Sequence, residues 1–184
     1  MKSNGWYVGS WLAAVGLAVA LAFVAPNESS VMGRLPAFMA QSQLRQSMSM
    51  PKGLPAERTL ALITFKHSQQ AEAESWIQGL NLRNDTSIAW MRMPVLNDPG
   101  TDAGRSVLES KLLQHYPDVA EHARLVPVFT DRTTFARSAG LPGTNQVYAL
   151  VLNRQGDVLA RVEGPFDPDK AQALRETLLR AGDF

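Results

Sequence analysis

The sequence predicts an α/β domain built on a mixed sheet, and three observations carry that prediction. Short apolar runs alternate with segments in which apolar residues recur every three or four positions, the order produced when strands are joined by crossover helices. The last two apolar runs are instead separated by a short glycine-containing turn, the mark of an antiparallel hairpin at one edge. Of the 35 charged side chains, 30 lie in residues 57–184, so the composition of a water-exposed globular domain is confined to that stretch.

The first strand is Thr59-Leu60-Ala61-Leu62-Ile63-Thr64-Phe65, an almost wholly apolar run bounded by Arg58 and Lys66, as a strand buried on both faces requires. Ser68 is placed to cap the helix that follows, in which Ala71, Trp76, Ile77 and Leu80 share a face until Gly79 and Asn81 end it. Thr86 to Val95 reads as the second strand, and Asn97-Asp98-Pro99-Gly100 as a turn. Ala103 to Tyr116 is helical in period, with Val107, Leu108, Leu112 and Leu113 on one face. Leu125-Val126-Pro127-Val128-Phe129 is a third strand, and its proline places it at an edge or a strand start. Asp131 caps a short helix through Arg137 that ends at Gly140. Val147 to Leu152, the turn Asn153-Arg154-Gln155-Gly156-Asp157 and Val158 to Val162 form the hairpin, Gly156 supplying the positive φ. Asp167 and Pro168 begin a last helix whose face is Ala171, Leu174 and Leu178, and Gly182 ends it. Trp76 and Trp90 fall on apolar faces and read as core.

Residues 1–56 divide in two. Trp6 to Ala25 carries no charge, and its 20 residues at about 1.5 Å each match a hydrocarbon core of roughly 30 Å. Read as an uncleaved anchor, the run sets Trp6, Tyr7 and Trp11 at the membrane interface. Read as a signal peptide, it has Leu12 to Val19 as its apolar centre and Ala20-Leu21-Ala22 as a cleavage site. Either reading makes residues 1–25 a transmembrane or signal helix and exports the remainder to the periplasm. Residues 26–56, rich in Ser, Gln and Pro, read as a flexible tether, or as a short interfacial helix over Ala37 to Met48. With four basic residues and one acidic, residues 1–56 are basic beside a mildly acidic domain of residues 57–184.

The order β-α-β-α-β-α-β-β-α, ending in the hairpin Val147 to Val162 and a helix from Asp167, resembles the thioredoxin-like superfamily in its peroxiredoxin-like form. The run from Ser106-Val107-Leu108-Glu109-Ser110 through Pro127-Val128-Phe129-Thr130-Asp131 to this ending is similar to small exported bacterial proteins of the YtfJ type. The resemblance covers about Thr59 to Leu179 and implies a thioredoxin-like three-layer α/β/α sandwich with a mixed central sheet. In redox members of the superfamily, Cys-x-x-Cys stands at the start of the first helix and faces a cis-proline just before the hairpin. This sequence has Phe65-Lys66-His67-Ser68-Gln69-Gln70 at the first place, Gly143-Thr144-Asn145-Gln146 at the second, and no cysteine anywhere. Thiol–disulfide exchange therefore has no reacting group in this chain. Disulfides, cysteine zinc sites and iron–sulfur clusters are excluded with it.

Lys66, His67, Ser68, Gln69, Thr144 and Asn145 are accordingly the candidate ligand- or partner-binding residues. Lys66, His67 and the first N–H groups of the helix suit an anion or a peptide carboxylate. No catalytic residue is assigned: the adjacent His67 and Ser68 lack a third group to orient them, and the Walker A, dinucleotide-binding and G-x-S-x-G patterns are absent. His115 and His122 read as surface histidines at a helix end rather than a metal pair, because Pro117 interrupts the helix between them. Met39, Met48 and Met50 are weak candidates for Cu(I), with adaptable apolar contact as the plainer role. No resident cofactor is predicted. The 18 basic and 17 acidic side chains lack the positive excess of a nucleic-acid binder. The reading these features favour is a membrane-tethered periplasmic domain without redox activity that binds or helps assemble another, unidentified envelope protein, touching the inner membrane through its N-terminal helix. A carrier of a metal or small ligand, and a divergent peroxiredoxin-like enzyme deprived of its nucleophile, are the alternatives.

Overall fold

The computed structural model of the chain describes residues 31–41, 47–116 and 118–179. The anchor or signal segment of residues 1–25 and the closing Gly182 lie outside these residues. Serine and methionine alternate over Ser47-Met48-Ser49-Met50, and that period of two, rather than the polar content, decides the local structure. Strands β1 (Phe38–Gln41) and β2 (Ser47–Met50) pair antiparallel, with Phe38 opposite Met50 and Ala40 opposite Met48. Those four residues pack on the core, while Met39 between them is 65% exposed. Leu35, Ala40, Met50 and Leu54 are buried, and a Cβ on Gly33 would come within 2.4 Å of the Ala139 backbone. The described part of residues 31–56 is therefore built into the domain, which corrects the expectation of a flexible tether or an interfacial helix. Each fully buried Leu or Met side chain of this segment stabilises its docking by about 1.5–3 kcal/mol.

The sheet has five strands in the order β5-β4-β3-β6-β7. Its centre is β3 (Arg58–Thr64), whose Leu60 and Leu62 point to one core and Ala61 and Ile63 to the other. β4 (Trp90–Leu96) pairs with it in parallel. β5 (Val128–Phe129) continues that parallel half at the edge. β6 (Tyr148–Asn153) runs antiparallel to β3, and β7 (Val158–Glu163) antiparallel to β6. The hairpin turn holds Gly156 at a φ of +83°, as its glycine predicts. Two strand ends retreat for local reasons. Asp85 Oδ1 accepts from the N–H and hydroxyl of Ser87 at 2.9 and 2.5 Å, a turn that delays β4 to Trp90. Leu125 makes only an isolated bridge to Arg92, and Pro127 has no N–H with which to extend β5 toward it.

Helix α1 (Gln70–Gly79) follows a 3₁₀ turn at His67–Gln69 and buries Ala73, Trp76 and Ile77, Ala73 taking the place expected for the exposed Ala71. α2 (Asp102–Leu113) starts where Thr101 Oγ1 accepts from Gly104 N–H at 3.1 Å, and it ends three residues before Tyr116. α3 (Val119–His122) is a single turn. α4 (Arg132–Ser138) has Asp131 accepting from Thr134 N–H at 2.7 Å, and α5 (Pro168–Leu179) has Asp167 accepting from Asp169 and Lys170, as the capping residues predict. α1 and α5 cover one face of the sheet. α4 and the N-terminal segment cover the other, where Phe65, Phe135 and Tyr148 meet edge to face. α2 buries no residue fully: Leu108, Leu112 and Leu113 are half-covered and Val107 is 54% exposed. It leaves an open seam against the ends of β3 and β4.

Candidate functional site

The loop from Phe65 to Gln70 leaves the carboxyl end of β3 and is fixed by one buried side chain. Gln69 is 3% exposed; its Oε1 accepts from the N–H of Phe65 at 2.6 Å and of Lys66 at 3.0 Å. Its Nε2 donates to the Thr144 carbonyl at 3.1 Å, and Lys66 Nζ donates to Asn145 Oδ1 at 2.8 Å. The structure thus brings Lys66, Gln69, Thr144 and Asn145 together across two loops distant in sequence. Lys66, His67 and Ser68 are exposed at their rim. Ser68 is not the helix cap: it lies inside the 3₁₀ turn, and the N-cap position of α1 falls to Gln69, whose side chain turns back to Phe65 and Lys66 instead of capping the helix.

Beside this loop lies a cleft of about 260 Å³, floored by the ends of β3 and β4 and walled by α2. Lys66, His67, Lys111, His115 and Arg132 line it, and none of its lining residues is acidic. Phe65, Pro94, Val95, Leu96, Leu108 and Leu112 supply its apolar surface. The His67 and His115 rings stand edge to face with centroids 4.5 Å apart, and Arg132 Nε donates to the Val95 carbonyl at 3.2 Å. Among the described residues none of the five basic groups has a carboxylate partner.

A second cleft, of about 360 Å³, shares Gln70 and His115 with the first but has the opposite character. Arg92 enters it from β4, only 4% exposed, and donates through Nη2 to Glu74 at 2.7 Å and to Glu121 at 2.9 Å. Arg83 bridges the same two carboxylates, through Nη1 to Glu74 at 2.5 Å and Nε to Glu121 at 2.6 Å. The Arg92 guanidinium stacks 5.0 Å from the centre of the Tyr116 ring, whose hydroxyl accepts from Gln70 Nε2 at 3.3 Å. Burial alone would push the Glu74 carboxyl up, but the hydrogen bonds from Arg83 and Arg92 outweigh it and hold the group at about 2. The hydrogen bond that Arg83 donates to Glu74 correspondingly raises Arg83, and burial raises the Tyr116 phenol. Two guanidiniums and two carboxylates pair with one another, leaving the buried Arg92 Nε without a partner, so this cleft is a latch between α1, β4 and α3.

The other candidates disperse. His115 meets His67, and His122 turns away, its Nε2 2.6 Å from the Tyr116 carbonyl. Met39 faces out from β1 while Met48 and Met50 face the core, so the three thioethers do not converge as the Cu(I) candidate requires. Among the described residues no group of three or more His, Asp or Glu side chains is arranged to hold a metal ion. Sequence reasoning missed Gln70, Lys111, His115 and Arg132 as partners of Lys66 and His67. The signal for Lys111 and His115 was their spacing of four, which puts both at one end of α2.

The sheet order, the two helix layers and the closing hairpin and helix define a thioredoxin-like fold, and solved structures agree. BsSco, a member of the Sco family of cytochrome c oxidase assembly proteins, matches with a TM-score of 0.52 at 16% identity, over 78% of this chain and 91% of its own. A protein of Aquifex aeolicus VF5 described as an electron transfer protein matches with a TM-score of 0.55 at 10% identity, over 84% of this chain and 100% of its own. No protein-family model and no curated protein sequence matches the chain. These similarities establish the fold and do not extend to the YtfJ type.

Proposed function

We propose that the chain is a thioredoxin-like domain without redox activity that binds or helps assemble another envelope protein, using the end of the domain where α1 begins. One observation carries this reading. The place where redox relatives hold their dithiol is occupied by Lys66-His67-Ser68-Gln69, and Gln69 ties that loop to Thr144 instead of leaving it unformed. Building polar contacts into a loop that has no thiol preserves a surface rather than a reaction. Export to the periplasm, with the inner membrane holding residues 1–25 or a peptidase removing them, rests on the uncharged run Trp6 to Ala25. The Sco family is described by its role in assembling cytochrome c oxidase; for this chain an assembly role is part of the proposal.

The test is a photo-crosslinking residue at exposed position Ser68 in the full chain within intact cells, with exposed Gln172 on α5 as the control position. The reading predicts a recurring adduct with an envelope protein from position 68, lost on Lys66→Glu and absent from position 172. No adduct at 68, or the same adduct from both positions, contradicts it.

A further inference from the structure

We infer that the cleft between α1 and α2 binds a small monocarboxylate with an apolar body of roughly ten heavy atoms. The inference rests on the reading that the start of α1 is the binding end of the domain, and it names what that end takes. Three observations carry it. First, the cleft lies outside the carboxyl ends of the two parallel strands β3 and β4, where open α/β sheets leave a crevice for ligands. Second, its charge is one-sided: Lys66, Lys111 and Arg132 carry full positive charges, the exposed His67 ring adds an N–H donor, and no lining residue is acidic, while the His115 Nδ1–H is already given to the Lys111 carbonyl at 2.7 Å. Like charges crowded without a carboxylate repel one another, and an anion relieves that repulsion. Third, the floor is apolar and α2 does not close over it, since Leu108 and Leu112 stay half-exposed above Phe65 and Val95. A hydrated inorganic ion leaves that surface wet; a carboxylate with an aromatic or alkyl body covers it.

Size sets the scale. At about 30 Å³ per water, a cleft of about 260 Å³ holds about nine waters, which corresponds to a ligand of roughly ten heavy atoms. The body lies along Phe65, Leu108 and Leu112, and the carboxylate faces Lys66, Lys111 and His67 at the mouth. Its bonds with Lys66 and Lys111 are charge-assisted.

The probe is 3-phenylpropionate, titrated against the full chain in lipid nanodiscs with protein-free nanodiscs as the blank. Saturable one-to-one binding is predicted, with 3-phenylpropan-1-ol and inorganic phosphate each at least tenfold weaker. Lys111→Glu, an exposed position on α2, is predicted to weaken the acid at least tenfold with thermal unfolding unchanged. Leu108→Gln is predicted to weaken the acid while leaving the feeble phosphate affinity as it was. The inference is overturned by absence of saturable binding, by alcohol or phosphate binding as tightly as the acid, or by Lys111→Glu binding like the unaltered chain. Its failure is separable from that of the partner reading, because crosslinking from position 68 then persists; conversely, binding of the acid without crosslinking leaves this inference standing alone.

Discussion

The two clefts on either side of Gln70 and His115 use similar residues to opposite ends. In one, Arg83 and Arg92 are matched by Glu74 and Glu121, and every charge is used within the fold. In the other, five basic side chains face an apolar floor with no carboxylate among the lining residues. Burying a guanidinium such as Arg92 is costly unless it is paired, so Glu74 and Glu121 have to meet it for β4 to sit in the core. The second lies at the surface, where water tolerates unmatched charge, and its charges remain available to something that is not part of the chain. The difference separates a structural use of charge from a binding use without appeal to any residue type.

Altering one member of each set breaks or sharpens this contrast. Arg92→Ala removes two charge-assisted hydrogen bonds from a site where Arg92 was 4% exposed and leaves Glu74 and Glu121 to Arg83 alone, and loss of about 3 kcal/mol in chemical denaturation is predicted. Acid opens the same latch. Glu74 titrates near 2 when folded against an ordinary 4.5, so its stabilisation is fully present above 4.5 and is lost as pH falls through about 2. Denaturation midpoints of the unaltered chain should therefore fall across that window more steeply than those of Glu74→Gln. Gln69→Ala removes two acceptor bonds and one donor bond from a buried position and is predicted to cost about 1–3 kcal/mol. Gln69→Glu sets a buried carboxylate oxygen against the Thr144 carbonyl and should cost at least as much as the alanine. The smallest effect on stability belongs to the basic cleft: Lys111→Gln should change it by no more than about 0.5 kcal/mol, because no partner inside the chain is lost.

Much of the fold was legible in local pattern. The hairpin from Tyr148 to Glu163 follows from Gly156 and its flanking apolar runs, and the last helix from Asp167 and Pro168, because in both cases the turn or cap chemistry lies next to the element it starts. The N-terminal hairpin was not legible, since the Ser and Gln content of residues 26–56 masked the period of two in Met48 and Met50 and nothing local says that the domain has an uncovered sheet face there. Of the candidate site, Lys66, Gln69, Thr144 and Asn145 were readable from the place where the resemblance locates the missing dithiol and its facing loop. Lys111 comes from α2, His115 from the turn just after it and Arg132 from α4, and only packing carries them to Lys66. Arg92 was visible in the middle of an apolar strand, but its partners Glu74 and Glu121, and the Arg83 that shares them, come from three separate segments.

The central claim, that the basic cleft binds and the ion-paired one holds the fold together, is tested most directly by mapping backbone amide shifts as 3-phenylpropionate is added to isotopically labelled full chain. Gln70 and His115 border both clefts and are left out of the comparison. The account predicts saturable shifts at Lys66, His67, Val95, Leu96, Lys111 and Leu112, with Arg83, Arg92, Asp118 and Glu121 unmoved. Shifts centred on Arg83 and Glu121, or none that saturate, would contradict it.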